Sequence, residues 1–294
     1  MISVKIPATS ANLGPGFDSI GLAVALYLTI DVIGPSASWR IDHNIADDIP
    51  KDENNLVVQT IRRLAPDSQP YHLKMVSDIP SARGLGSSSS AIVAGIELAN
   101  ILANKGWSDQ DKVNIANQIE GHPDNIAPCI LGGLVVSVAL KPDDVLYTKE
   151  AFPDVAFVTT IPHYEVKTAD ARAVLPKHLP FAEAVRTSGI ANVLSSKIVE
   201  GDVAAVGRLM AYDLFHEPYR QKLVPELTKI RSLLKDQAGA YGTYLSGAGP
   251  TIMTLADSRS ANDIAKMISQ QVADVTVEVL ALDQDGSRVL NDSQ

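Results

Sequence analysis

The sequence predicts an α+β protein built as two domains, and three observations carry that reading. A chain of 294 residues with 46% hydrophobic and 20% charged side chains can bury a full core, and two domains suit this length better than one. The second half, with two added helices set aside, reads strand, helix, strand, strand, helix, strand, the order of a split βαβ, ferredoxin-like layout. Between the halves, Lys141 to Pro153 is rich in Pro, Asp and Lys and reads as the boundary, giving domains 1–150 and 151–294.

The elements follow in chain order. Ile2 to Pro7 alternates as a strand, and Ala8 to Asp18 breaks into a loop dense in Gly, Asn and Pro. Ile20 to Ile33 resumes strand character, Asn54 to Leu64 reads as a short helix, and Tyr71 to Ser77 as a strand. Over Gly86 to Asn104, residues such as Ile92, Gly95, Ile96, Leu98 and Ala99 give a helix the apolar, small-residue surface that burial requires. Ser108 caps a further helix, with Asp111 three residues on, and Gly121 and Pro123 stop it. A strand over Gly132 to Leu140 closes the first half.

In the second half, strands are expected over Val155–Ile161, Ala240–Ser246, Thr251–Ala256 and Val275–Leu282. Helices are expected over Phe181–Val199, Val203–Tyr212, Pro225–Gln237 and Ala261–Val272, and fraying after Asp283.

Composition excludes several functions. A net charge of −9 and a pI near 5.1, with no basic run interleaved with aromatics, argue against nucleic-acid binding. The apolar runs Ile20–Leu28 and Ile130–Leu140 fall short of the roughly 18 residues a membrane span needs. Only Lys5 precedes a Pro, Gly and Asp segment, so no signal peptide is expected. Cys129 is the one cysteine, which rules out an internal disulfide and fits a reducing, cytoplasmic setting. His43, His72, His163 and His178 show no zinc-ligand spacing.

The most informative stretch joins a strand to the apolar helix: Pro80-Ser81-Ala82-Arg83-Gly84-Leu85-Gly86-Ser87-Ser88-Ser89-Ser90-Ala91. Its glycines permit a tight turn and close approach to a ligand, and its serines bring hydroxyls and N–H groups to a helix start, where anions bind. It lacks the lysine and the spacing of a P-loop, and on its own it also fits a serine-capped helix after a glycine turn. Two further glycine loops, Asn12-Leu-Gly-Pro-Gly-Phe-Asp18 and Ser246-Gly-Ala-Gly-Pro250, occur in the same chain as the polar segment Glu120-Gly-His-Pro-Asp-Asn125.

On these residues the chain resembles the GHMP small-molecule kinases, named for galactokinase, homoserine kinase, mevalonate kinase and phosphomevalonate kinase. The middle and third loops resemble the superfamily pattern. Pro7 to Asp18, Glu120 to Asn125, Thr168-x-x-x-Arg172 followed by Ala-Val-Leu-Pro176, and His216-Glu-Pro-Tyr-Arg220 resemble its homoserine-specific branch.

The resemblance implies an N-terminal domain like the second domain of ribosomal protein S5, joined to a ferredoxin-like C-terminal domain, with ATP and substrate between them. It implies transfer of the ATP γ-phosphoryl group to the hydroxyl of L-homoserine, giving O-phospho-L-homoserine on the route to threonine. Another small alcohol as acceptor, or a silent ligand-binding relative, are the alternatives. The middle loop would wrap the ATP phosphates with N–H groups from Arg83 to Ser90, and Ser88, next to Ser87, would meet Mg²⁺ together with Glu120.

Homoserine carries an ammonium, a carboxylate and a hydroxyl. Asn12 and Asp18 would hold the head group, Arg172 and Arg220 the carboxylate, and Gly247 and Gly249 would bring N–H groups from the second domain. His122 and Asn125 would line the hydroxyl end, with Thr168 nearby and Asp124 as the candidate general base. Asn125, Asp124, Thr168 and Arg172 are thus the residues expected nearest the chemistry. An edge strand or helix face of the second domain could pair two copies into a homodimer.

Overall fold

The computed structural model describes residues 2–291. The first part of the chain forms β1 (Ile2–Ala11), β2 (Ile20–Pro35), β3 (Arg40–Asp42), α1 (Leu56–Leu64), β4 (Tyr71–Ser77), α2 (Ser87–Leu102), α3 (Asp109–Glu120), α4 (Pro123–Leu131), β5 (Leu134–Lys141) and β6 (Asp144–Glu150). The second part forms β7 (Ala156–Pro162), α5 (Thr168–Ala173), α6 (Phe181–Glu200), α7 (Val203–Met210), α8 (Glu217–Arg220), α9 (Pro225–Leu234), β8 (Ala240–Leu245), β9 (Ile252–Ala256), α10 (Ala261–Gln271), β10 (Val275–Leu280) and β11 (Arg288–Asn291).

A seven-stranded sheet runs β11-β1-β2-β4-β3, with β5 added to β2 and β6 to β5. Strand β2 changes partner along its length: Ile20–Leu22 pair with β5, whereas Leu28–Pro35 pair with β4. The second sheet is antiparallel throughout, in the order β10-β7-β9-β8. Counted within that sheet the order is 4-1-3-2, the ferredoxin-like arrangement expected from the element sequence.

Strand β7 shows how the layers share a core, because its successive side chains point to opposite faces. Phe157 and Ile161 join an apolar cluster with Val4, Ile6 and Ile30 of the first sheet, while Val158 joins Leu227 and Ile230 of α9 and Ile264 and Ile268 of α10. Each such side chain contributes about 1.5–3 kcal/mol on full burial. The two sheets are therefore held by one continuous apolar layer.

Several boundaries differ from the sequence reading. Strand β1 does not end at Pro7: it shifts register between Pro7 and Ala8 and continues to Ala11, pairing with Gly21 to Val24. A bulge is where a residue without an N–H is tolerated. Gly121 does end α3, with φ +91, but Pro123 starts α4 instead of prolonging the break, since a proline at the first helical position loses no hydrogen bond. The stretch Lys141–Pro153 is mostly not a linker, because β6 pairs along β5 from Asp144 to Glu150. Within the described residues the tail does not fray, since Arg288–Asn291 pair with Lys5–Ile2 as β11; residues 292–294 lie outside the described residues. Asp283 anchors it by accepting from Tyr27 Oη at 2.8 Å and from Arg288. No helix among the described residues is long and apolar enough to cross a membrane.

Candidate active site

The serine-fringed loop adopts the conformation an anion site requires. Gly86, with φ +70, is the N-cap of α2, and a Cβ there would lie 2.0 Å from Thr9 Oγ1. The carbonyls around it are all engaged from outside. Val166 N–H donates to Ala82 O at 3.3 Å, Thr251 N–H to Arg83 O at 3.0 Å, and Thr9 N–H to Leu85 O at 3.2 Å. Ser246 Oγ donates to Gly84 O at 2.6 Å. Conversely, the N–H groups from Gly84 to Ser89 have no protein acceptor among the described residues, while Ser90 N–H is spent on Gly86 O at 2.8 Å. Buried carbonyl partners with free N–H groups at a helix N-terminus leave a ring of donors for an anion.

Not every residue of Pro80–Ala91 faces that ring. Ala82, Gly84, Gly86, Ser87, Ser88 and Ser89 line a cavity of about 300 Å³ between the two sheets. Leu85 is fully buried, and Ser90 donates its hydroxyl to Pro7 O at 3.1 Å. Arg83 turns away to Glu165 at 3.1 Å, and with Pro80 and Ser81 it borders a neighbouring cavity of about 650 Å³. That larger space holds none of the residues expected on the substrate side, whereas all of them line the smaller one. Ser90 and Ala91 lie along a third cavity beside α1.

Glu120, at the end of α3, reaches the same helix start. The hydroxyl that meets it is that of Ser89, Oγ donating to Oε1 at 3.2 Å, and Ser88 is exposed at the cavity mouth. Ser88, expected to meet Mg²⁺ together with Glu120, lines the same cavity one residue before Ser89.

The same cavity is lined by Asn12, Asp18, His122, Asp124, Asn125, Thr168, Arg172, Arg220, Gly247 and Gly249, with Gly249 packed against Gly84 and Asn125 against Gly86. Arg172, on α5, donates to Asp18 at 2.8 and 3.3 Å. Arg220 is buried on α8, and its guanidinium is pushed down to about 10 by burial and by the Arg172 charge, against the pull of Asp18, Asp213 and Asp124. Both guanidiniums sit over the Phe17 ring, at 5.6 and 5.4 Å from its centroid. Two converging cations beside one partly exposed carboxylate suit a ligand with an anionic and a cationic group.

Asn12, expected at the head group, lines the cavity and also ties the loop together. Its Oδ1 accepts from Asp18 N–H at 3.1 Å and its Nδ2 donates to Gly247 O at 3.2 Å, so it shapes the loop that presents Asp18. Asp124 is buried, and its Oδ1 accepts from His122 Nδ1 at 2.7 Å and Asn125 Nδ2 at 3.3 Å. Burial pulls the His122 pKa down, but the hydrogen bond to Asp124 and its charge outweigh this and hold it above the ordinary histidine value. Asn125 Oδ1 takes the Thr9 hydroxyl at 2.8 Å. Thr168 is exposed at the rim.

Sequence reasoning assigned no role to Thr9, Phe17 or the pair Ser10 and Ser246. Ser10 Oγ lies 2.9 Å from Tyr244 Oη and 2.8 Å from Ser246 Oγ, joining β1 to the second sheet. No local pattern marks Thr9, Phe17, Ser10 and Ser246, because each acts through a partner more than a hundred positions away.

Comparison with known proteins agrees with this geometry. Residues 55–133 match the GHMP kinases N terminal domain and residues 194–274 the GHMP kinases C terminal family. A homoserine kinase of Listeria monocytogenes serotype 4b (strain F2365) is 51% identical over 284 residues, 97% of each chain. The crystal structure of homoserine kinase from Cytophaga hutchinsonii superposes with a TM-score of 0.85 at 30% identity, covering 98% of this chain and 97% of that one. A mevalonate kinase structure, at 16% identity with 96% and 99% coverage, shares the fold with a TM-score of 0.72. Matched in both domains and nearly end to end, the chain belongs to the GHMP kinase family and is similar throughout to its homoserine kinase members.

Proposed function

We propose that this ATP-dependent kinase phosphorylates the side-chain hydroxyl of L-homoserine, giving O-phospho-L-homoserine. The observation that carries the reading is the pairing, inside one cavity, of an unsatisfied amide ring at the α2 N-terminus with the Asp18, Arg172 and Arg220 cluster. The amide ring suits the ATP phosphates, and the cluster suits the two charges of an amino acid. Between them, Asn125, oriented by Thr9, and His122, oriented by Asp124, stand where the acceptor hydroxyl would lie.

Phosphoryl transfer through a loose transition state depends chiefly on alignment and charge neutralisation. Glu120 with Ser89 and the neighbouring Ser88 offers the hard oxygen donors Mg²⁺ accepts, leaving its other positions to phosphate and water. Bound there, the ion would neutralise phosphate charge. Asp124 holds the His122 ring through Oδ1 and is the candidate to receive a proton from the acceptor hydroxyl.

A substrate panel tests the proposal. With Mg-ATP, the purified chain should release ADP on addition of L-homoserine and not of mevalonate or galactose. Equal turnover of all three would remove the amino-acid assignment while leaving the kinase.

A further inference from the structure

We propose that His216 is the positioning residue that holds the Arg220 guanidinium ready for the substrate carboxylate. The inference rests on the homoserine reading and assigns the alignment of its anion clamp.

His216 is fully buried at the N-terminus of α8, and its ring bridges two segments that meet only in the folded chain. Nε2 lies 2.9 Å from Gly14 O, on the first glycine loop, and Nδ1 lies 3.1 Å from Arg220 Nη1. A carbonyl can only accept and a guanidinium can only donate, so the proton must sit on Nε2 and the lone pair on Nδ1. Asp213 Oδ2 is 3.7 Å from Nε2, beyond hydrogen-bond reach. It is occupied instead by the N–H groups of His216 and Glu217, at 2.9 and 2.6 Å. The ring also stacks on Phe17, centroids 5.2 Å apart and planes 22° apart, and the same Phe17 lies beneath both guanidiniums.

The consequence falls on Arg220. Its Nε donates to Ala171 O at 3.1 Å, and its Nη1 donates to Gly247 O at 2.9 Å and to His216 Nδ1. A guanidinium has five N–H groups, and these contacts use three. The two on Nη2 have no protein acceptor among the described residues, and Arg220 lines the cavity. The protein therefore fixes one side of the fork and leaves one amino group, with both its hydrogens, for an anion. His216 is the anchor that also reaches the loop carrying Asp18, so it sets the cationic and anionic halves of the clamp relative to each other.

Steady-state kinetics on the full chain, varying L-homoserine and ATP separately, tests this. His216→Phe keeps a ring against Phe17 but removes both hydrogen bonds. Its homoserine KM should rise roughly tenfold or more, with ATP KM changed by less than about twofold. His216→Gln places an amide oxygen and an amide N–H about as far apart as the two ring nitrogens, and should return homoserine KM to within about threefold of wild type.

A folded His216→Phe protein with unchanged homoserine KM would overturn the assignment, as would His216→Gln as impaired as His216→Phe. If His216→Phe does not fold, His216→Gln decides alone: near-normal homoserine KM supports the role, and a tenfold rise refutes it. Wild-type protein that turns over no homoserine sinks the function beneath the inference, an outcome distinct from normal wild-type turnover with an unaffected variant.

Discussion

Replacing Asp18 with Asn, read on two substrates, separates a head-group contact from a structural one. Asp18 takes two bonds from Arg172, and their side chains are 36% and 38% exposed. A pair this wet contributes about 0.2–1 kcal/mol. A zwitterion that takes Arg172 with its carboxylate and Asp18 with its ammonium therefore sacrifices no more than about fivefold in affinity to separate them. The ammonium-to-carboxylate bond it gains is charge-assisted, worth about 1.5–3 kcal/mol, and partial exposure favours the lower end, or roughly tenfold.

Asp18→Asn should then lower kcat/KM for L-homoserine roughly tenfold. 4-Hydroxybutanoate, which is homoserine without its amino group, has no such bond to lose. In the variant it also finds Arg172 released from its ion pair, so its kcat/KM should hold steady or rise by up to about fivefold. A coupled ADP assay with both substrates on both proteins closes the cycle, and the interaction between the two changes is the quantity of interest. Equal losses on the two substrates would show that Asp18 only supports the loop, and the head-group role would be wrong.

Two further outcomes follow from the same geometry. Gly86→Ala forces a Cβ to within 2.0 Å of Thr9 Oγ1 at φ +70. The left-handed backbone alone should cost about 1–2 kcal/mol in a urea melt, and ATP KM should rise more than homoserine KM; a variant as stable as wild type would refute the packing. His122 has its pKa raised above the usual 6.5, because Asp124 outweighs burial. Its contribution to stability is complete below the unfolded value and is lost as pH rises through the folded one. The stability gap between wild type and His122→Gln should therefore be larger at about pH 5.5 than at pH 9, and a gap that widens with pH would sink the ion pair.

Much of the fold could be read from the chain because its cues are local. Helix α2 follows from a run of small and apolar residues, and α3 from the Ser108 capping box, in which Asp111 answers from the third position. The 4-1-3-2 sheet follows from element order alone. What could not be read depends on tertiary partners. Strand β3 is three residues long and exists because β4 lies beside it, and β11 has no strand without β1 to pair with. Helices α5 and α8 are six and four residues long, too short to nucleate by propensity, yet they carry Arg172 and Arg220. The charged site residues were named through the resemblance of the motifs that hold them. Their orienting partners were not.

The end of β1 shows why that difference matters. Read as a loop, Thr9, Ser10 and Asn12 are three polar residues near a turn. Continued as a strand to Ala11 beyond the bulge at Pro7 and Ala8, Thr9 and Ser10 inherit a two-residue period, and their successive side chains must take opposite faces. Thr9 then points toward the phosphate loop, where its N–H holds Leu85 O and its hydroxyl holds Asn125. Ser10 points the other way, to Tyr244 and Ser246 of the second domain, and Ser246 in turn holds Gly84 O. One strand end thus braces the phosphate loop twice, directly and through the other domain. With Val166 and Thr251 capping Ala82 and Arg83, three of the four outward carbonyls from Ala82 to Leu85 are satisfied by the second domain. The amide ring is consequently a property of the two domains together, and the first domain alone could not hold its donors turned toward the cavity.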